Sequence, residues 1–130
     1  MIKLSIIIPC RDEEDNVNIM YENILKKIAI KDYEIIFIND HSQDNTEKNI
    51  KNLIEKDNKV KLLNNKKKGL GGTIELGLTN SSGEFVTILM ADSADSIDDL
   101  NEYVSIMNRG ECDVVFGSRF IAGGKTIDYP

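Results

Sequence analysis

Short apolar runs alternate along the chain with stretches of mixed apolar and polar residues. The runs are nearly continuous and rich in β-branched side chains, which is typical of strands that are covered on both faces in a parallel sheet. They predict five strands, at residues 4–8, 35–38, 60–63, 85–90 and 114–116.

The stretches between these runs carry apolar residues at helical spacing. The predicted helical faces comprise Val17, Met20, Tyr21, Ile24, Leu25 and Ile28, then Ile50, Leu53 and Ile54, and finally Ile97, Leu100, Val104 and Met107. Ser96 and Asp99 are spaced as a capping box at the start of the last helix, and Gly110 is placed to end it. Strands and helices therefore alternate, which predicts a three-layer α/β/α domain with a mostly parallel sheet and right-handed crossovers.

Composition narrows the class of protein. A chain of 130 residues with 41% apolar and 29% charged residues is long enough for one globular domain. The net charge of −6 argues against general nucleic-acid binding. No apolar run approaches the roughly 20 residues of a membrane span, and the first run is too short for a signal peptide. Cys10 and Cys112 form neither a disulfide framework nor a zinc pattern, so we expect free thiols in a cytoplasmic protein.

Residues that directly follow the predicted strands carry the chemistry, because ligands of open α/β sheets bind at the carboxyl ends of the strands. These segments hold acids, amides, an arginine and a glycine-rich turn, at residues 9–14, 39–42, 64–72, 91–95 and 117–120. Carboxylates there can bind a base, a ribose or a metal, and cations and backbone N–H groups can bind phosphate.

Simpler roles exist for several of these residues. Asp12, Asp15 and Asp44 are interpreted as helix caps. His41, the only histidine, receives no role, and the lysines of residues 66–68 are interpreted as a solvated charge run.

Other nucleotide-binding motifs do not fit the chain. A dinucleotide fingerprint that starts at Gly69 requires glycine where Ile74 stands, and a Walker A motif that ends at residues 124–126 requires glycine where Arg119 stands. A phosphoacceptor receiver domain would end its third strand with an aspartate, where this chain has Leu63 and Asn64.

Four blocks resemble the motifs of one enzyme family, in the expected order. Residues 9–14 contain P-x-x-D-E-E, residues 39–46 contain N-D-H-S-x-D-N-T, residues 69–71 contain G-L-G, and residues 117–120 contain G-S-R-F. On these blocks the chain resembles the family 2 glycosyltransferases of GT-A fold, within them the dolichol-phosphate mannosyltransferase and polyprenyl-phosphate glycosyltransferase branch. The resemblance implies a Rossmann-like domain that binds a nucleotide sugar.

The same resemblance implies roles for individual residues. Those expected to contact the nucleotide sugar are Pro9, Arg11, Glu13, Asp40, Gly69 and Gly71. Pro9, Arg11 and Glu13 would line the base and the ribose, and Asp40 would bind the edge of the base.

The family's metal-binding D-x-D motif is altered here, since Ala91 and Ser93 stand where its two aspartates belong. Asp92 is expected to lie by the diphosphate and to hold a divalent metal, Mg²⁺ or Mn²⁺. Asp95 is either a second metal ligand or a helix cap. Arg119 is expected to meet a phosphate, so Asp92 and Arg119 are the predicted catalytic residues.

The activity implied by the resemblance is inverting transfer of a hexose from GDP- or UDP-hexose to an acceptor, with a polyprenyl or dolichyl phosphate favoured. A saccharide acceptor, a non-catalytic nucleotide-binding module and an interaction domain without a small ligand remain alternatives. Residues 1–130 are expected to be one donor-binding domain, truncated before the acceptor-binding part and weak in transfer alone. Membrane association, at the cytoplasmic face, would come only through segments outside it.

Overall fold

The computed structural model describes residues 1–125, which form four strands and four helices in strict alternation. In chain order the elements are β1 (Leu4–Cys10), α1 (Val17–Lys27), β2 (Tyr33–Asn39), α2 (Thr46–Ile54), β3 (Val60–Asn64), α3 (Leu70–Asn80), β4 (Phe85–Ile88) and α4 (Ile97–Asn108). The expected α/β alternation is confirmed over this part of the chain.

All strand pairs in the sheet are parallel, and the strand order is β3-β2-β1-β4. The chain steps outward from β1 to β3 and then returns past β1 to place β4 on its other side. The order of the strands therefore reverses between β1 and β4, which is where open α/β sheets form a crevice for ligands.

Helices cover both faces of the sheet, as the nearly continuous apolar strands require. Helices α1, α2 and α4 pack on one face of the sheet and form the larger core with strand residues such as Ile6, Ile8 and Phe37. Helix α3 packs on the opposite face over Ile7. A Cβ added at Gly77 of α3 would lie 2.6 Å from Ile7 Cγ2, so the absence of a side chain lets this helix pack close to the sheet.

The predicted fifth strand is wrong within the described residues. Residues 114–116 are irregular, and Val114 and Phe116 are 60% and 88% exposed. A strand needs a neighbour for its backbone hydrogen bonds, and a cleft of about 980 Å³ lies between β4 and this segment. An apolar run suits a strand locally, but it does not ensure that a neighbouring strand is present to pair with it.

The predicted ends of α4 are confirmed, whereas two residues assigned to buried helical faces are exposed. Ser96 Oγ accepts a hydrogen bond from the Asp99 N–H at 3.2 Å, which confirms the cap of α4, and Gly110 follows its end with φ of 70°. Leu25 and Ile54 are 43% and 37% exposed rather than on the buried faces of their helices.

Cys10 and Cys112 are free thiols, as expected, and burial raises the pKa of Cys10 to about 12.

No helix among residues 1–125 has the length and apolar character needed to cross a membrane. The segment 128–130, on which the expected truncation rests, lies outside the described residues.

Candidate functional site

The carboxyl ends of the four parallel strands bring four of the five predicted segments to one edge of the sheet. From one side to the other, the strand order places residues 65–72 after β3, 40–46 after β2, 11–16 after β1 and 89–96 after β4. Segments that are far apart in sequence therefore form one continuous edge, as the alternating pattern predicts.

The Asp40 side chain lies at the centre of the β3–β2–β1 part of this edge and is only 7% exposed. Arg11 Nη2 donates to Asp40 Oδ2 at 2.5 Å, and Asn65 Nδ2 donates to Oδ1 at 2.9 Å. The Gly69 N–H lies 3.1 Å from both carboxylate oxygens. The structure therefore brings three predicted residues, Arg11, Asp40 and Gly69, into direct contact.

The electrostatic balance at Asp40 favours its charged form. Burial raises the pKa of the carboxyl group, but hydrogen bonds from Asn65 and Gly69 and the charge of Arg11 outweigh it and hold the pKa below its usual value. A carboxylate kept ionised in a sheltered position is suited to accept N–H donors from a ligand.

His41, directly after Asp40, adopts a left-handed backbone conformation with φ of 61°. This conformation is unfavourable for residues other than glycine and explains why the resembling motif carries glycine at this position. Asp12 and Ser93, in the loops after β1 and β4, are also left-handed, with φ of 53° and 63°.

The loops after β1 and β2 are joined by reciprocal hydrogen bonds. Asp12 N donates to Ser42 Oγ at 3.0 Å, and Gln43 N donates to Asp12 Oδ1 at 2.7 Å. Glu14 N donates to Asp44 Oδ2 at 3.1 Å, and Asn45 N returns a bond to Glu14 Oε2 at 2.9 Å. The two loops thus form one hydrogen-bonded unit.

These contacts correct part of the helix-cap interpretation. Asp12 bridges to the other loop, and Asn16 rather than Asp15 precedes α1, with no side-chain hydrogen bond capping that helix. The interpretation is therefore wrong for Asp12 and Asp15. Asp44 does act at the start of α2, since its Oδ1 accepts from Thr46 N at 2.9 Å.

Glu13 and Pro9 differ in accessibility. Glu13 is partly exposed, and its Oε2 accepts from Asn16 Nδ2 at 2.7 Å. Pro9 is buried within β1, where it pairs with Ile38 of β2.

Gly69 directly precedes α3, and Gly71 and Gly72 lie in its first turn. Gly69 has φ of 116°, and a Cβ on Gly72 would lie 2.6 Å from the Lys67 carbonyl oxygen, so backbone geometry or packing accounts for both. Gly71 has neither constraint, since a Cβ there would meet nothing within 4 Å. Its glycine instead leaves the backbone at the start of α3 open to close approach by a ligand.

The lysines beside this turn are exposed, and Lys67 Nζ pairs with Glu75 at 3.1 Å. The pairing agrees with their interpretation as a solvated charge run.

The loop after β4 presents Asp92 and Asp95 at the surface. Asp92 Oδ1 accepts from Ala94 N at 3.0 Å, and Asp95 Oδ2 accepts from Met90 N at 2.9 Å. Ser96 is the N-cap of α4, so Asp95 does not have the alternative role of helix cap. Each carboxylate is oriented by a backbone N–H through one oxygen.

Arg119 lines the cleft of about 980 Å³ that lies beside β4. The lining of this cleft includes Asp95, Ser96, Ser118 and Arg119. The structure therefore brings Arg119 and Asp95 to one cleft, whereas Asp92 is not among the residues that line it.

The donor set of this loop fits a hard divalent cation, which binds through one or two carboxylates together with phosphate oxygens and water. Asp92 and Asp95 would be those carboxylates. Residues 1–125 contain no group of three or more acidic, histidine or cysteine side chains placed to hold a metal ion without such help.

Asn65 is a residue that the sequence patterns did not single out. It is 6% exposed and contacts Asp40 directly. The available signal was its position, since it is a polar residue immediately after β3, as Asp40 is immediately after β2.

Comparison with known proteins identifies the family and the fold. The model of the family described as "Glycosyl transferase family 2" matches residues 5–130. The chain is 27% identical over 99% of its length to a dolichol-phosphate mannosyltransferase of Pyrococcus furiosus, and 32% identical over 91% of its length to a dolichyl-phosphate beta-glucosyltransferase of Dictyostelium discoideum.

Solved structures support the same architecture. TarS of S. aureus matches 83% of this chain with a TM-score of 0.70 at 21% identity, and the match covers 33% of the TarS chain. The mannosyltransferase PcManGT from Pyrobaculum calidifontis, solved with GDP-Man and Mn²⁺, matches 78% of this chain and 31% of its own, also with a TM-score of 0.70 at 21% identity.

The chain spans 36% and 40% of the lengths of the two curated relatives. The match to the family model nevertheless extends from β1 through all the motif blocks that resemble the family, and the parallel sheet agrees with the fold of the solved structures. The chain belongs to glycosyl transferase family 2.

Proposed function

We propose that this chain forms the donor-binding part of an inverting glycosyltransferase that moves a hexose from a nucleoside diphosphate sugar to an acceptor. The observation that carries the proposal is the buried, ionised Asp40 at the same sheet edge as the acidic loop after β4. The favoured acceptor is a polyprenyl phosphate, because the relatives include dolichyl-phosphate glycosyltransferases.

The nucleoside would lie at the β2–β1 side of the edge. Asp40 would accept a hydrogen bond from the base, while Arg11 and Glu13 would contact the base and the ribose. Pro9 is buried within β1, so it would support the residues that contact the base rather than lie against the base itself.

The diphosphate would lie toward β4. Two strand spacings separate β2 from β4, which is about 10 Å, a distance that a ribose and a diphosphate can span. Arg119 would contact a phosphate through its planar guanidinium group. Gly71, at the start of α3 next to the Gly69 contact with Asp40, would instead offer open backbone at the nucleoside end.

Asp92 and Asp95 are the residues that would hold Mg²⁺ or Mn²⁺. When bound, the cation would neutralise negative charge that develops on the departing diphosphate. PcManGT, of the same fold, was solved with Mn²⁺.

In the reaction, an acceptor oxygen forms a bond to the anomeric carbon from the face opposite the departing diphosphate, and the bond from that carbon to the diphosphate oxygen breaks. The nucleoside diphosphate leaves with the electron pair. A phosphate acceptor is already anionic and needs no general base, so the protein's contribution is positioning and stabilisation of charge. A saccharide hydroxyl would require a carboxylate base in addition.

A non-catalytic nucleotide-binding module is the second candidate. It is favoured by one feature, the replacement of the two D-x-D aspartates by Ala91 and Ser93. Such a module would bind nucleotide but would not show sugar transfer in any form of the protein that includes an acceptor-binding part.

Residues outside the 130 present here would supply the acceptor-binding part and any attachment to the cytoplasmic face of a membrane. The proposal is supported by the lengths of the curated relatives, of which the chain spans 36% and 40%. It implies that the 130-residue chain binds the donor but transfers sugar slowly or not at all.

Calorimetric titration of the 130-residue chain with UDP and GDP, with and without Mn²⁺, tests the proposal. We expect one of the two nucleotides to bind, and more tightly with the metal. Absence of binding by both nucleotides in the presence of Mn²⁺ would overturn it.

A further inference from the structure

Asn65 has a buried side-chain amide that connects three parts of the sheet edge. Its Nδ2 donates to Asp40 Oδ1 at 2.9 Å and to the carbonyl oxygen of Lys67, and the carbonyl oxygen of Gly69 lies 3.3 Å from the same nitrogen. Its Oδ1 accepts from Lys67 N at 3.2 Å. One amide therefore fixes the end of β3, the turn before α3 and the carboxylate of Asp40 relative to one another.

The partners of Asp40 fall into two groups. Asn65 and the Gly69 N–H come from buried or backbone positions. Arg11 is different, since its side chain is 43% exposed and can be hydrated when it leaves. Asn65, the Gly69 N–H and Arg11 occupy most of the roughly four acceptor positions of the carboxylate. Arg11 on Oδ2 is the partner that a ligand N–H can displace most easily, because its side chain is exposed.

We propose that Asn65 is a positioning residue of the donor site, which holds Asp40 so that only the Oδ2 edge facing Arg11 is offered to the base. The inference rests on the proposed function. A carboxylate in this orientation would favour bases that present a ring N–H, such as uracil or guanine. Cytosine and adenine could donate to it only through their exocyclic amino group, beside a ring nitrogen that is an acceptor and repels the carboxylate.

Asn64 provides a matched control for substitutions of Asn65. It is the same residue type at the preceding position, but it is exposed, and its Oδ1 accepts from Asn39 Nδ2 at 3.0 Å. Asn64→Ala therefore removes an amide at the end of β3 without removing a contact to Asp40.

The experiment is calorimetric titration of the wild-type chain, Asn65→Ala, Asn65→Asp and Asn64→Ala with UDP, CDP, GDP, ADP and pyrophosphate. For Asn65→Ala we expect about tenfold weaker binding of the preferred nucleotide, a smaller preference over its CDP or ADP counterpart, and less than twofold change for pyrophosphate. Asn65→Asp, which places a second carboxylate beside Asp40, is expected to lose more. Asn64→Ala should stay within twofold of the wild type.

A double-mutant cycle with Asp40→Asn completes the test. If Asn65 acts through Asp40, Asn65→Ala causes little further loss of nucleotide affinity in the Asp40→Asn background. Additive losses, or an equal loss for pyrophosphate, would overturn the inference.

The outcomes separate the two proposals. A wild-type chain that binds neither UDP nor GDP overturns the proposed function and this inference with it. A wild-type chain that binds, with both Asn65 variants indistinguishable from Asn64→Ala, overturns the inference alone. If Asn65→Ala does not fold, Asn65→Asp, which keeps the shape and the acceptor for Lys67, carries the comparison.

Discussion

Arg11 binds Asp40 twice, through Nε to the backbone carbonyl oxygen at 3.0 Å and through Nη2 to the carboxylate at 2.5 Å. The Arg11 side chain is 43% exposed, whereas the carboxylate that it contacts is 7% exposed and also accepts from Asn65 and the Gly69 N–H. A ligand that replaces this contact gains a charged acceptor that is already ionised.

Asp40→Asn removes that charge with little change in shape. We expect nucleotide affinity to fall ten- to hundredfold, because a hydrogen bond to a charged group contributes about 1.5–3 kcal/mol. Isothermal titration measures the loss. Asp32→Asn, at an exposed position before β2, is the control and should leave affinity unchanged. Equal affinities for the two variants would exclude Asp40 from the site.

Asp92→Ala and Asp95→Ala test the metal site. Each should reduce the gain in nucleotide affinity that Mn²⁺ provides, while affinity without metal stays close to that of the wild type. Titration of the nucleotide at fixed Mn²⁺ concentrations measures the gain. Asp113→Ala removes an exposed carboxylate outside this loop and is expected to behave as the wild type. An unchanged metal effect in both variants would contradict the assignment.

Gly71→Ala separates folding from binding. Since an added Cβ meets no atom within 4 Å, the free energy of unfolding should rise by up to about 1 kcal/mol from better helix propensity, while nucleotide affinity falls. Gly77→Ala is the contrasting variant, because its Cβ would lie 2.6 Å from Ile7 Cγ2 and should lower stability by about 1–3 kcal/mol. Chemical denaturation and titration measure the two quantities. Full affinity in Gly71→Ala would leave that glycine without a role in binding.

Glu34 should make stability depend on pH. Burial raises the pKa of its carboxyl group, but hydrogen bonds from Lys61, Ser5 and Ser82 outweigh it and lower the pKa from 4.5 to about 2. Because the folded-state pKa is depressed, the stabilisation is complete above about pH 4.5 and is lost as the pH falls toward 2. The full contribution is about 3 kcal/mol.

Glu34→Gln should therefore lower the free energy of unfolding at pH 7 and flatten its decline between pH 4.5 and 2. Urea denaturation across this range measures both effects. Glu47→Gln, which removes only an exposed pair with Lys51, should retain the wild-type slope. The same slope in Glu34→Gln would show that other groups cause the decline.

His41→Gly should raise the free energy of unfolding by up to about 1 kcal/mol, since glycine adopts the left-handed conformation at φ of 61° without steric conflict. Gln43→Gly, nearby but without a left-handed backbone, should instead lower stability. Thermal or chemical denaturation distinguishes the two signs, and destabilisation by His41→Gly would show that its side chain matters more than its backbone.

The sequence predicted most of the fold because local and long-range requirements coincide in it. Runs such as residues 35–38 are both intrinsically suited to strands and apolar on both faces, so β2 was placed correctly. The segment 114–116 has the same composition but no adjacent strand among the described residues, which no local pattern reveals.

In the candidate site, too, some residues could be predicted from the sequence and others could not. Arg11, Asp40 and Gly69 could be grouped from their positions after strands, and they are in contact. The role of Asn65 could not be predicted, because it depends on the direction in which a buried amide points. The left-handed backbone of His41 likewise depends on the turn that follows β2.

The reciprocal hydrogen bonds between the loops after β1 and β2 have a kinetic consequence. Asp12, Ser42, Glu14 and Asp44 hold the two loops together through hydrogen bonds within the protein itself. A nucleoside that docks beside them meets a wall that is already ordered, so little conformational entropy is lost on association. Binding at this end of the site should then follow single-phase kinetics, with a rate that rises linearly with nucleotide concentration.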